Sequence, residues 1–97
     1  MYDKGGKKVV FEIDLEQIYS ADELQDLLEE VLPLPDYYGR NLDALYDVLT
    51  DGRKEIWEIH FHNTEAAQSV LGKYVNSLKK MCRRAEAETK KLTVSFD

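Results

Sequence analysis

Three short runs of β-branched and aromatic residues, spaced widely along the chain, constrain the fold most. They are residues 7–14 (KKVVFEID), 55–61 (EIWEIHF) and 92–96 (LTVSF), and each predicts a strand. The intervening segments are long enough to return the chain to the same end of a sheet, which favours parallel pairing. The sequence therefore predicts an α/β fold, with a three-stranded parallel sheet packed with helices. Its 97 residues fit a single domain spanning 1–97.

Helical periodicity fills both connections. The first helix is expected to begin at Ser20, whose spacing from Glu23 is that of a capping box. A second, short helix runs from Asn41, a good N-cap, to about Thr50. The other connection predicts a helical piece over 64–70, an interruption near Gly72 and a longer helix to about 89. The first helix has an apolar face of Leu24, Leu27, Leu28 and Val31, and an acidic, solvated face of Asp22, Asp26, Glu29 and Glu30.

Charge is distributed unevenly along a chain whose net charge is −6. Residues 12–51 hold twelve acids and one base, Arg40, whereas the remaining residues hold seven acids and twelve bases. Such an acidic half disfavours nucleic-acid phosphates and favours a basic partner through electrostatic steering.

The chain shows no sign of export or of membrane insertion. Met1–Val10 lacks the apolar run of a signal peptide, and no segment has the length and apolarity of a membrane span. We expect a cytoplasmic protein. Cys82 is the single cysteine and lies on the apolar stripe of the last helix, so we expect a buried, unreactive thiol.

The second helix has an acidic face that is typical of a partner-binding surface. Asp43 and Asp47 lie four residues apart, and like charges at this spacing destabilise a helix by about 0.2–0.5 kcal/mol. Asp47 also lies towards the negative end of the helix, so the dipole does not stabilise it. We interpret Asp47 as placed for a group outside the chain. The expected buried seam is Leu42, Leu45 and Leu49, Arg40 and Ala44 share the outward face, and Tyr37, Tyr38 and Tyr46 flank the acids.

Residues 34–50, LPDYYGRNLDALYDVLT, resemble the signature of the barstar family. The RRAEAE at 83–88 and the LTV at 92–94 are also similar to that family. The resemblance implies a non-catalytic, cofactor-free inhibitor, monomeric when free, that places this helix and the preceding loop in the active site of a basic, barnase-like extracellular ribonuclease. It implies that Asp47 mimics a phosphate, that Asp43 pairs with a neighbouring basic group and that Tyr37 stacks on the nuclease. Gly39 and Asn41 would shape the loop, and Leu42, Ala44 and Tyr46 would fill the contact.

Two departures from the family pattern concern the partner. Arg84 stands where the family type carries a nuclease-contacting acid on the last helix, and Gly52 stands where it carries a tryptophan after the second helix. Both changes indicate a nuclease with a different rim, or a binding mode shifted away from the last helix. Arg84 and Glu88 are the candidate peripheral contacts. An immunity protein against a different nuclease toxin, or another acidic partner-binding protein, stays open beside the first interpretation.

Three other classes of function have less support in the sequence. Glu58, His60 and His62 share one face of a strand, but no further Cys or His completes a structural tetrahedral site, so no metal site is expected. Acid–base catalysis by the paired aspartates is disfavoured because they should project from a convex helix surface. The sequence also lacks a nucleophile–histidine pair and a phosphate-binding loop. Residues 73–91 hold seven bases but lack an aromatic platform beyond Tyr74, so this helix predicts a solvated face more than a nucleic-acid-binding module.

Overall fold

The computed structural model describes residues 7–97, so the first six residues of the expected domain and of the Met1–Val10 segment lie outside it. The elements follow the predicted order within a residue or two: β1 (Lys8–Asp14), α1 (Ala21–Val31), α2 (Leu42–Leu49), β2 (Ile56–His62), α3 (Thr64–Glu88) and β3 (Leu92–Phe96). The predicted interruption of the last helix is a kink at Leu71, where φ is −121° and ψ is 36°.

The three strands form one parallel sheet in the order β1-β2-β3, which confirms the predicted fold class. Phe11 is in register with Ile59, which is in register with Val94. Side chains alternate between two environments along β2: Trp57, Ile59 and Phe61 are buried, and the residues between them are half-buried. The helices therefore pack on one face of the sheet and leave the other face open.

The core lies between that sheet face and the helices. Helix α1 contributes Leu24 and Leu28, α2 contributes Leu45 and Leu49, and α3 contributes Val75, Leu78, Cys82 and Ala85. Cys82 is 1% exposed, and burial raises the pKa of its thiol to about 12, in agreement with the expected core position. Phe96 closes the end of the sheet by stacking on Phe61 at 4.9 Å between ring centroids.

Helix ends follow the capping chemistry that the sequence indicated. The Ser20 hydroxyl accepts a hydrogen bond from the Glu23 backbone N–H at 3.1 Å, and the Glu23 carboxylate accepts one from the Tyr19 N–H at 2.8 Å. These caps fix where α1 begins and thus where its acidic face points. Over residues 7–97, none of the helices combines the length and the apolarity needed to cross a membrane.

Candidate functional site

The loop before α2 is tied to the first turn of that helix by Asn41. Its side-chain oxygen accepts a hydrogen bond from the Ala44 N–H at 2.7 Å, and its side-chain amide donates to the Gly39 carbonyl at 3.3 Å. A Cβ added at Gly39 would lie 3.4 Å from the Ala44 Cβ, so the loop runs close against the helix. Three residues predicted to form the site, Gly39, Asn41 and Ala44, are thus brought together by direct contacts.

Tyr38 anchors the same loop in the core, a role that the sequence did not predict for it. Its side chain is 8% exposed, and its hydroxyl donates to the Gln25 side-chain oxygen at 2.6 Å. The Gln25 amide in turn donates to the Tyr74 hydroxyl at 2.8 Å. Burial raises the pKa of Tyr38 to about 12. This chain of hydrogen bonds joins the loop to α1 and α3, while the neighbouring Tyr37 is 88% exposed.

Arg40 was expected on the outward face of α2, and this expectation was wrong. The residue has a φ of 56°, which lies in the left-handed region that residues other than glycine seldom adopt. In this conformation its guanidinium reaches back to α1, where it binds Asp22 at 2.7 Å, Asp26 at 2.9 Å and Glu29. Hydrogen bonding to Asp22 and then Asp26 raises the pKa of Arg40 further. We call this group, Arg40 with Asp22, Asp26 and Glu29, the arginine clamp.

The arginine clamp also corrects the interpretation of the α1 acids as simply solvated, and it leaves the acids of α2 without a cation. Asp43 and Asp47 are both exposed. Across the described range 7–97, neither carboxylate takes part in an ion pair. Arg40, the one base among residues 12–51, is therefore paired with α1, and the negative charge of α2 faces solvent.

Asp47 lies at the side of an open groove and not on a purely convex surface, which corrects a further expectation. The groove has a volume of about 780 Å³. One wall comes from the loop and α2, and the other from the segment that follows α2 and from Trp57 of β2. Its lining residues are Pro33, Pro35, Tyr37, Tyr38, Gly39, Ala44, Asp47, Val48, Asp51, Arg53, Glu55 and Trp57.

Sequence reasoning missed the second wall of this groove, whose central residue is Arg53. Its guanidinium stacks over the Trp57 ring at 4.1 Å and donates to the carbonyls of Val48 at 2.9 Å and Lys91 at 3.4 Å. Burial lowers the pKa of Arg53. The acids Asp51 and Glu55 flank it in the sequence, and this segment lines the same groove as Asp47.

The remaining predicted site residues lie on or beside α2. Leu42 and Tyr46 are half-buried, so Leu42 is less buried than a seam position requires. The Arg84 guanidinium lies 4.7 Å from the centre of the Tyr46 ring, which places this base of α3 at the edge of α2. Glu88 is exposed at the end of α3. A Cβ added at Gly52 would meet no atom within 4 Å, so this position has room for a larger side chain.

The fold and these contacts define a class: a small α/β protein whose loop is anchored to the core and leads into an exposed acidic helix. The chain belongs to the barstar family, since the family model described as "Barstar (barnase inhibitor)" matches residues 8–97. A curated relative in Bacillus subtilis (strain 168), named "Putative ribonuclease inhibitor YrdF", is 36% identical over 78 residues, which cover 80% of this chain and 86% of that protein. The resemblance of residues 34–50 to this family is thus confirmed.

Proposed function

We propose that this chain is a cytoplasmic inhibitor of a basic, barnase-like extracellular ribonuclease and blocks the active site with α2 and the preceding loop. One observation carries the proposal most: the exposed carboxylates of Asp43 and Asp47 have no cation of their own among residues 7–97, because Arg40 is held by α1. Family membership and the name of the curated relative support the same role.

Asp47 supplies the central charge in this proposal. The active site of a nuclease that binds RNA phosphates concentrates cationic groups. The exposed Asp47 carboxylate, at the side of the groove of this chain, can occupy the nuclease site that a phosphate would occupy. Asp43, one turn earlier on α2, pairs with a basic group at the rim. The acidic half of the chain attracts the basic nuclease over a distance and orients it before contact.

Rigidity of the loop supports tight binding in the same proposal. A loop that is ordered before the encounter loses less conformational entropy when it binds. Tyr38 is fixed by Gln25, Arg40 by the arginine clamp, and Asn41 by Ala44 and Gly39. The exposed ring of Tyr37 is left free to stack on the nuclease, and the half-buried residues Leu42, Ala44 and Tyr46 fill the contact around it.

The chain acts as a blocker and not as an enzyme in this proposal, and it is monomeric when free. The groove beside Asp47 is open, and the described residues that line it include no Ser, Cys or His that could serve as a nucleophile or a catalytic imidazole. Its proposed partner is a folded protein and not RNA.

A second candidate is an immunity protein that blocks a different nuclease toxin with the same surface. Arg84 beside Tyr46 favours it, because a cation at this edge of α2 suits a partner whose rim is acidic there. Glu88 would then be a weaker peripheral contact.

Titration of a barnase-like ribonuclease with the purified chain tests the proposed function. We expect activity to fall linearly to zero at one chain per nuclease, and the association rate to fall steeply as salt is added. Full activity in the presence of excess chain would contradict the first candidate. Inhibition of a different nuclease by the same surface, with none of the barnase-like enzyme, would support the second.

A further inference from the structure

The open face of the sheet carries a cluster of two imidazoles and one carboxylate. Glu12 on β1 is in register with His60 on β2, and His62 follows on the same face two residues later. The Glu12 carboxylate lies between the two rings: one oxygen is 3.3 Å from His60 Nδ1 and the other is 2.5 Å from His62 Nε2. Three potential metal ligands from two strands therefore converge on one point.

The spacing of these atoms is close to what a tetrahedral ion requires. The three ligand atoms of Glu12, His60 and His62 all lie within 4.8 Å of one another. Zn²⁺ bonds of about 2.1 Å in tetrahedral geometry separate the ligands by roughly 3.4 Å. Small rotations of three partly exposed side chains cover the difference, with no movement of the sheet.

The outer nitrogen of each ring also faces a carboxylate. His60 Nε2 is 2.6 Å from a Glu58 oxygen, and His62 Nδ1 is 3.9 Å from an Asp97 oxygen. Glu58 is itself held by Lys8 at 2.6 Å. A carboxylate that accepts the second ring N–H of a metal-bound histidine fixes the tautomer and makes the metal-facing nitrogen more basic. The cluster thus has both the inner ligands and the outer support that such sites use.

We propose that Glu12, His60 and His62 form a Zn²⁺ site on the open sheet face, with Glu58 as the residue that positions His60. Three protein ligands leave a fourth position to solvent, as in open zinc sites, so no further Cys or His is needed. The sequence offered Glu58, His60 and His62 as the candidate ligands and predicted no site; in the structure Glu12 of β1 joins the two histidines instead, and Glu58 lies behind His60. Because α2 lies in the helix layer, the site is separate from the surface proposed to bind a nuclease.

Calorimetric titration of the untagged 97-residue chain with Zn²⁺ near neutral pH tests this proposal. We expect one Zn²⁺ per chain and weaker binding in Glu12→Gln and in His62→Ala. Glu58→Gln should weaken binding by about tenfold or more, the effect typical of an outer partner of a histidine ligand. Glu30→Gln removes the same charge at an exposed position on α1, in the helix layer and not on the open sheet face. This control variant should leave Zn²⁺ affinity unchanged.

Imidazole NMR signals provide a readout that does not depend on any variant folding. The chain has two histidines, and Zn²⁺ should shift the ring signals of both, whereas Mg²⁺, which prefers oxygen ligands, should not. Absence of stoichiometric Zn²⁺ binding would overturn the proposal. Wild-type affinity in folded Glu12→Gln and His62→Ala, or Zn²⁺-induced shifts confined to one ring, would overturn it as well.

Discussion

Tyr38→Phe should destabilise the protein, although it removes a single oxygen atom. That hydroxyl donates at 2.6 Å to the side-chain oxygen of Gln25, a residue that is 2% exposed. The substitution leaves a buried acceptor without its partner, which typically reduces the free energy of unfolding by about 1–3 kcal/mol. For a chain of this length, each kcal/mol lowers the melting temperature by roughly 4–8 °C.

Tyr37 provides the matched control, because it is the adjacent residue and is 88% exposed. Tyr37→Phe should change the free energy of unfolding by less than about 0.5 kcal/mol. Urea unfolding followed by the fluorescence of Trp57, the single tryptophan, measures both variants. Equal stabilities for the two variants would refute the claim that Tyr38 anchors the loop in the core.

The pH dependence of the stability of Tyr38→Phe gives an independent check. The pKa of Tyr38 is raised from 10.0 to about 12 in the folded protein, so its contribution is complete below pH 10 and is lost as the pH rises towards 12. Tyr38→Phe lacks this titration. The difference in free energy of unfolding between wild type and variant should therefore shrink over this interval, and a constant difference would contradict the burial of the hydroxyl.

Two further predictions concern Arg40 and Cys82. Arg40→Ala should lower the urea midpoint more than Arg40→Gly, because both variants lose the arginine clamp but glycine suits the φ of 56°. The reverse order of the two midpoints would show that the backbone is unstrained at this residue. Cys82 is 1% exposed and has a pKa of about 12, so a thiol reagent should modify it only as fast as the protein opens, and reductant should leave the melting temperature unchanged. Rapid modification of the native protein would contradict the core assignment.

Periodicity was sufficient to predict the fold. Alternation in β2 and helical spacing in α1 report which face of each element is apolar, and in a short chain with long crossovers few arrangements bury those faces together. The helix ends were predictable because capping depends on neighbours in sequence, as at Ser20 and Asn41.

Contacts between distant segments could not be predicted in this way. Arg40 shares the outward face of α2 on a helical wheel, yet its left-handed backbone turns it towards α1. Arg53 is an ordinary base in the sequence, and its hydrogen bond to the Lys91 carbonyl, which is 38 residues away, appears only in the fold. Glu12 joins His60 because of strand register, which alternation along one strand does not reveal.

Inhibition of a barnase-like ribonuclease by wild type and by Asp47→Ala tests the central claim most directly. Loss of a charge that is desolvated among several cations typically costs about 2–5 kcal/mol or more of binding free energy, mostly through faster dissociation. We expect Asp43→Ala to cost less and Glu30→Ala, on α1, to inhibit like wild type, with circular dichroism showing the same fold in all four proteins. Equal inhibition by wild type and Asp47→Ala would contradict the account.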